Sequence, residues 1–177
     1  GFLILRAKND SDISPYYIFC ALSIPEIGDY QSRKRTVIAS TIPHLRPENL
    51  LKTIKHQVVI SDNDIKLCND YFEPVIFPKN RIIEEEGKIP QYLYFVISGY
   101  MRLFYYNENG DEITSHINCP PGFITSYFNF INQTIANENV ECITECELLR
   151  ITKNNLDLIT SKSDAFKNFS IWVFQQS

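Results

Sequence analysis

Four of the six glycines in this 177-residue chain fall between Glu86 and Gly122, as Glu86-Gly87, Ser98-Gly99, Asn109-Gly110 and Pro121-Gly122. Between them lie the aromatic and aliphatic runs Tyr92 to Ile97 and Tyr100 to Tyr106, followed by the alternating Glu112-Ile113-Thr114-Ser115-His116-Ile117. Strand-like runs of this length, bounded by turn residues about a dozen positions apart, read as consecutive arms of an all-β barrel or jelly roll. Asn107-Glu108-Asn109-Gly110 is the clearest hairpin tip, because Asn-Gly tolerates positive φ. Much of the chain's complement of 12 Phe and 10 Tyr sits in these runs, where flat side chains fill a pleated, half-buried surface.

The chain is long enough, and at 44% hydrophobic apolar enough, for one globular domain with a proper core. A formal charge of -4 argues against nucleic-acid binding by this segment, since neutralising phosphates requires a basic face. Arg33-Lys34-Arg35 is too short a cluster to change that, and reads as a solvated loop. Cys20, Cys68, Cys119, Cys142 and Cys146 form an odd set without a C-x-x-C pair. With no secretory leader and no long apolar span, a reduced, cytoplasmic protein whose thiols are structural is expected. Gly1 in place of an initiating Met is expected to reflect a tag remnant or a fragment boundary.

Residues 1–46 carry Pro15, Pro25 and Pro43 and support no fold assignment beyond an extension. Pro47 to Lys55 predicts a short helix, and Ser61 is placed to cap a second over Asp62 to Tyr71, with Ile65, Leu67, Cys68, Tyr71 and Phe72 on its buried side. Pro74 to Pro78 and Arg81 to Glu84 read as strands around a Lys79-Asn80 turn. Tyr127 to Ile131 predicts one or two helical turns, and Asn139 to Thr144 and Glu147 to Ile151 predict strands. Thr152 and Ser163 are candidate caps for two closing helices, from Lys153 and from Asp164. The predicted order is helices, about eight strands, then helices.

Phe77-Pro78-Lys79-Asn80, Glu86-Gly87, Leu93 to Gly99, Asn109 to Glu112, Pro121-Gly122-Phe123 and Cys146 to Ile151 stand in this order at spacings that resemble the cyclic-nucleotide-binding sensor domain of the Crp/Fnr family of bacterial transcription regulators. The resemblance covers roughly Leu50 to Ser177. It implies a mainly β fold with flanking α-helices, a double-stranded β-helix or jelly-roll-like cyclic-nucleotide-binding domain. It divides the chain into an N-terminal extension (1–46), the roll with its flanking helices (47–162), and the start of a dimerisation-type helix (163–177), with the family's DNA-binding helix-turn-helix absent from this chain.

In cyclic-AMP binders of that family the Pro-Gly-Phe turn leads into a phosphate cassette. A Gly-Glu pair opens it, the Glu taking the ribose hydroxyl, and a later Arg with a small partner takes the cyclic phosphate. The corresponding ligand-binding segment here is Gly122, Phe123, Ile124, Thr125, Ser126 and Tyr127, with Ala136 and Asn137 further on. Thr125-Ser126 stand where Gly-Glu is expected, and Ala136-Asn137 where the Arg and its partner are expected. A hydrogen bond to a charged group contributes about 1.5 to 3 kcal/mol, so losing the Arg should lower cyclic-nucleotide affinity by orders of magnitude. The expected function is effector sensing by a Crp/Fnr-like domain with a degenerate cassette that does not bind cyclic AMP. A different small-molecule effector is one prospect, and ordinary core packing of Phe123, Ile124, Tyr127 and Phe128 is the plainer one.

Two other classes stay open: a stand-alone interaction module with a vestigial pocket, and a cupin-like small-molecule-binding protein. A cupin metal site needs several His and a carboxylate inside the barrel, but only His116 lies among the strands, and it reads as a surface or edge residue. Cys142 and Cys146, four apart, share a face of a continuous strand and are too distant to chelate unless a turn separates them. No metal, no cofactor and no enzyme motif is expected. The apolar C-terminal run gives a helix whose Phe166, Phe169, Trp172 and Val173 either pack back on the roll or form a homodimer interface. No membrane association is expected, and DNA contact is expected only through a domain outside this chain.

Overall fold

The computed structural model describes residues 37–38 and 47–175. The expected extension over 1–46 lies outside the described residues except for Val37–Ile38. In order, the elements are β1 (Val37–Ile38), α1 (Glu48–Gln57), α2 (Asp62–Tyr71), β2 (Glu73–Phe77), β3 (Arg81–Glu84), β4 (Tyr92–Ser98) and β5 (Met101–Tyr106). They continue with β6 (Glu112–Asn118), β7 (Gly122–Ile124), α3 (Tyr127–Asn132), β8 (Asn139–Cys142), β9 (Cys146–Thr152), α4 (Lys153–Lys162) and α5 (Asp164–Gln175). The strands form two antiparallel sheets, in the orders β1-β2-β9-β4-β7 and β3-β8-β5-β6. This is the jelly-roll-like architecture that the glycine spacing predicts.

The continuous apolar character of β4 and β9 follows from burial on both faces. Tyr94 and Val96 of β4, and Cys146 and Leu148 of β9, point into the roll with Val75, Phe77, Met101, Leu103, Ile124, Val140 and Cys142. The alternate residues Leu93, Phe95, Leu149 and Ile151 face outward, into a second core built from the helices. There they meet Leu50 and Ile54 of α1, Leu67 and Cys68 of α2, Leu156 and Ile159 of α4, and Phe166, Phe169 and Val173 of α5. The period of two in the strands thus feeds two cores from one sheet.

Turn and cap chemistry sets the boundaries. Ser61 and Asp64 form a reciprocal capping box at α2: Asp64 Oδ2 accepts from the Ser61 backbone N–H at 2.7 Å, and the Asp64 N–H donates to Ser61 Oγ at 3.3 Å. Burial raises the Asp64 pKa, but the Ser163 hydroxyl and the Ser61 donors outweigh it and hold the group below the usual carboxylate value. Ser163 in turn caps α5 by accepting from the Phe166 N–H at 3.2 Å, and Thr152 caps α4 by accepting from the Asn155 N–H at 3.2 Å. At the β5–β6 tip, Asn107 Oδ1 accepts from the N–H groups of Asn109 and Asp111, both at 2.9 Å, with Gly110 at φ +82°.

Three features depart from the sequence reading. Gly122–Ile124 is a strand, not only a turn, because it pairs with β4 through Tyr94↔Ile124, Phe95↔Phe123 and Val96↔Gly122. The strand expected over Asn139 to Thr144 stops at Cys142, where the Ile143 and Thr144 N–H groups turn to the Tyr100 carbonyl. Cys68, Cys142 and Cys146 are free and buried, whereas Cys119 is in a disulfide, against the expectation of five reduced thiols.

Candidate functional site

The cassette segment is the path from β7 through α3 to β8. Its start is pressed against β6: a Cβ on Gly122 would lie 2.9 Å from Asn118 Nδ2 and 2.9 Å from the Cys119 carbonyl. Alternation along β7 then divides its side chains. Phe123 turns to the helical side, its ring 5.0 Å from Phe95 and 5.8 Å from Phe169, while Ile124 is fully buried inside the roll. Thr125 is also fully buried, and its hydroxyl donates to the Tyr92 carbonyl at 3.0 Å. Phe123, Ile124 and Thr125 are therefore committed to packing and to a strand-to-strand hydrogen bond.

Ser126 precedes α3 and is 2% exposed. Its Oγ lies 2.7 Å from Glu138 Oε1 and 2.9 Å from Asn129 Oδ1. The carboxylate is the stronger acceptor for its single proton. The other Glu138 oxygen lies 3.4 Å from Ser115 Oγ on β6. Glu138 thus joins β6, the start of α3 and the approach to β8 through one carboxylate. Among the described residues, no Lys or Arg pairs with it. His116, half-buried on the edge strand β6, faces the same carboxylate. Burial lowers the imidazole's pKa, and Glu138 only partly offsets that.

Tyr127 opens α3 with its ring 5.9 Å from Phe174 of α5, and burial pushes its phenol well above the ordinary value. Phe130, fully buried, anchors the helix, and Gln133 closes it in the left-handed region at φ +52°. Ala136 is 4% exposed and bonded on both sides to the β3–β4 loop: its N–H donates to the Lys88 carbonyl at 2.9 Å, and its carbonyl accepts from the Gly87 N–H at 2.8 Å. Asn137 is exposed. Asn139 completes the lacing. Its Oδ1 accepts from the Glu86 N–H at 3.0 Å, and its Nδ2 donates to Glu86 Oε2 at 3.1 Å.

The same loop is fixed from its other end by Glu84. Its Oε1 accepts from the Tyr92 N–H at 3.2 Å, the Gln91 N–H at 3.3 Å and the Tyr94 hydroxyl at 3.0 Å. Burial nonetheless raises the Glu84 pKa, against the lowering effect of these donors and of Arg150. Arg150 stacks over the Tyr92 ring at 4.3 Å and reaches Glu73 at 3.2 Å.

At the positions that the sequence reading matched to the family's cassette, Ser126 offers a hydroxyl and Ala136 a methyl. Glu138, an anion, reaches Ser126. An anionic phosphate beside a half-buried carboxylate is repelled, and like charges opposed in an interface cost several kcal/mol. The roll interior is meanwhile filled by its own side chains, with Tyr94, Met101, Ile124 and Leu148 each 2% exposed or less.

The sequence reading gathered Gly122 to Tyr127, Ala136 and Asn137 as one ligand-facing set. The structure separates them among the roll interior (Ile124), the helical core (Phe123, Tyr127), a loop clasp (Ala136) and solvent (Asn137). It adds Glu138 and Ser115, which the sequence reading did not single out. At the other candidate surface, Phe166, Phe169 and Val173 are buried in the chain's own core. Trp172 is half-buried, stacked on Phe169 at 5.7 Å, and Ile171 is 48% exposed. Among the described residues, no group of three or more His, Cys, Asp or Glu is arranged to hold a metal, and no helix is long and apolar enough to cross a membrane.

Fold and cassette together define a cyclic-nucleotide-binding-type β-roll. The chain belongs to the cyclic nucleotide-binding domain family, whose signature matches residues 74–163, just over half of the chain. No curated protein sequence matches it. Among solved structures, a cyclic nucleotide-binding domain from Methylobacillus flagellatus superposes with a TM-score of 0.61 at 11% identity, over 73% of this chain and 73% of that one. The Thermus thermophilus catabolite activator protein gives 0.57 at 19% identity, over 66% of this chain and 55% of that one. A regulator assigned to the Crp/Fnr family from Eubacterium rectale gives 0.55 at 19%, over 66% and 55%. The chain thus spans little more than half the length of these two regulators.

Proposed function

We propose that this chain is the effector-sensing part of a Crp/Fnr-like transcription regulator, that its cassette no longer takes cyclic AMP, and that a DNA-binding part lies outside these 177 residues. The observation that carries the reading is the Ser126–Glu138 contact at 2.7 Å, in which a side chain of the protein occupies the hydrogen-bonding capacity of the cassette with charge opposite to what a phosphate requires. The division into an extension (1–46), a roll (47–162) and a C-terminal helix (163–177) belongs to the same proposal, as does a non-enzymatic, cytoplasmic role.

Signalling in this reading is a two-state switch in which an effector of other chemistry shifts the disposition of α5. Homodimerisation would use the side of α5 that carries the exposed Ile171, since Phe166, Phe169 and Val173 are buried in the intrachain core and Trp172 packs against it. The mutual satisfaction of Ser126, Glu138 and Ser115 also favours a second reading, a stand-alone interaction module with a vestigial pocket. A thermal-shift screen of nucleotides and metabolites separates them, because a ligand that binds only the folded state raises its melting temperature. Stabilisation by a compound other than a cyclic nucleotide supports sensing. Stabilisation by micromolar cyclic AMP refutes the altered cassette, and a flat screen favours the module.

A further inference from the structure

The end of β3 and the β3–β4 loop shape a cavity that the cassette does not use. It is open to solvent, has a volume of about 410 Å3, and is lined by Ile83, Glu84, Glu85, Lys88, Ile89 and Gln91. Neighbours on a regular strand face opposite ways, but a bulge between Ile82 and Glu84 shifts the β3–β8 register at Ile83, and Ile83 and Glu84 both line the cavity. The run Glu84-Glu85-Glu86 is then divided by its partners. Glu86 is held by Asn139 at 3.1 Å, and Glu85 by Lys88 Nζ at 2.6 Å. Among the described residues, no Lys or Arg lies within ion-pair distance of Glu84. Its Oε1 takes the donors of Gln91, Tyr92 and Tyr94, whereas Oε2 receives, among the described residues, only the Gln91 N–H at 3.4 Å. Gln91 turns its Nε2 to the Ile89 carbonyl at 2.9 Å, so the rest of that amide is an acceptor as well.

We propose that this cavity binds a small organic cation, a primary ammonium carried on an apolar body, with the ammonium on Glu84 and the body against Ile83 and Ile89. The side-chain groups left to bond a guest are acceptors, which the three N–H donors of an ammonium satisfy and a phosphate or carboxylate does not. Lys88, the cation on the wall, is already engaged by Glu85. Ile89 is 38% exposed, so apolar surface stands beside the carboxylate. The volume falls within the roughly 300–1,000 Å3 usual for small-molecule sites. A cation placed here also offsets the burial that raises the Glu84 pKa, because an opposite charge favours the ionised form. The inference goes beyond the cassette reading and does not depend on it, since no cassette residue lines the cavity. The loop nonetheless touches the cassette segment, through the paired backbone bonds of Gly87 and Lys88 with Ala136 at 2.8 and 2.9 Å.

The test is an amide-resolved NMR titration of the folded full chain with phenethylamine, its neutral isostere phenethyl alcohol, and the anion phenylpropionate. The reporters are the Gln91 and Tyr92 amides, which donate to Glu84. Phenethylamine should shift them saturably and bind about tenfold or more tightly than the alcohol, and phenylpropionate should leave them unmoved. Glu84→Gln, which keeps the shape and an acceptor oxygen, should bring the amine to the affinity of the alcohol. Ile89→Lys changes a partly exposed position, so it serves if circular dichroism shows that Glu84→Gln does not fold; its own ammonium competes for Glu84 and should weaken phenethylamine about tenfold or more. Equal affinities of amine and alcohol for the native chain overturn the proposal. So do shifts that bypass Gln91 and Tyr92, or amine binding that survives unchanged in the folded variants, since either reflects general attraction to an acidic chain.

Discussion

Replacing Gly99 by Ala tests how the two sheets are held together at the β4–β5 turn. Gly99 sits at φ +89°, where an L-residue pays roughly 1–2 kcal/mol. Its added Cβ would lie 2.4 Å from the Glu145 carbonyl oxygen, 2.7 Å from Cys146 Sγ and 2.9 Å from Cys146 Cα. Two of those atoms are backbone, so the β8–β9 turn must move, and overpacking of this kind costs about 1–3 kcal/mol. The expected total is about 2–5 kcal/mol. Gly110→Ala supplies the reference: its φ is +82°, but nothing lies within 4 Å of the new Cβ, so only the conformational cost of about 1–2 kcal/mol applies. Urea unfolding followed by circular dichroism reads both, with equal m-values required for the comparison. At roughly 2–4 °C per kcal/mol for a chain of this size, Gly99→Ala should melt roughly 4–20 °C below wild type. Equal losses in the two variants would refute the close approach of the turns.

Burial separates two phenylalanines of similar sequence appearance. Phe166→Ala on α5, 2% exposed, should cost about 3–5 kcal/mol and free the C-terminal helix, whereas Phe128→Ala on α3, 74% exposed, should stay within about 0.5 kcal/mol in the same urea assay. Glu84 gives a pH signature. Its folded pKa is raised by burial, so the native state binds the proton more tightly than the unfolded chain, and the stability this contributes is present at acid pH and lost as pH rises above the ordinary value of 4.5 through the folded pKa. Unfolding free energies of wild type and Glu84→Gln measured between acid and neutral pH should therefore show wild type gaining relative to the variant on acidification. A difference that grows with rising pH would show that the donors around Glu84 outweigh its burial.

The sequence carried the parts of the fold that local chemistry decides. Ser61 and Thr152 announce their helices because a hydroxyl in that position has few other uses. Asn109-Gly110 announces its hairpin for the same kind of reason. Legibility ends where an element exists only through a distant partner. Gly122-Phe123-Ile124 is too short to look like a strand, and it becomes one because β4 offers it a free edge. Val37–Ile38 is a strand only through its pairing with Ile76 and Val75 of β2. Along α5 the apolar spacing was plain, but sequence could not say whether Phe166, Phe169 and Val173 face the roll or another chain.

The site follows the same division. That Ser126 and Ala136 stand where the resemblance led us to expect charged cassette residues is visible in one dimension. That Glu138 reaches Ser126 and Ser115 is not, because the three meet only when β6, α3 and the approach to β8 are assembled. Cys142 and Cys146 show the converse. As a continuous strand they would be far apart, and the turn at Ile143–Glu145 is what places both sulfurs in one cluster.

Isothermal titration calorimetry of the folded chain with cyclic AMP tests the altered cassette most directly. With a hydroxyl and a methyl in place of the charged determinants, and Glu138 facing any phosphate, no saturable heat is expected at micromolar nucleotide. A saturable isotherm with a micromolar Kd would contradict the assignment of Ser126, Ala136 and Glu138.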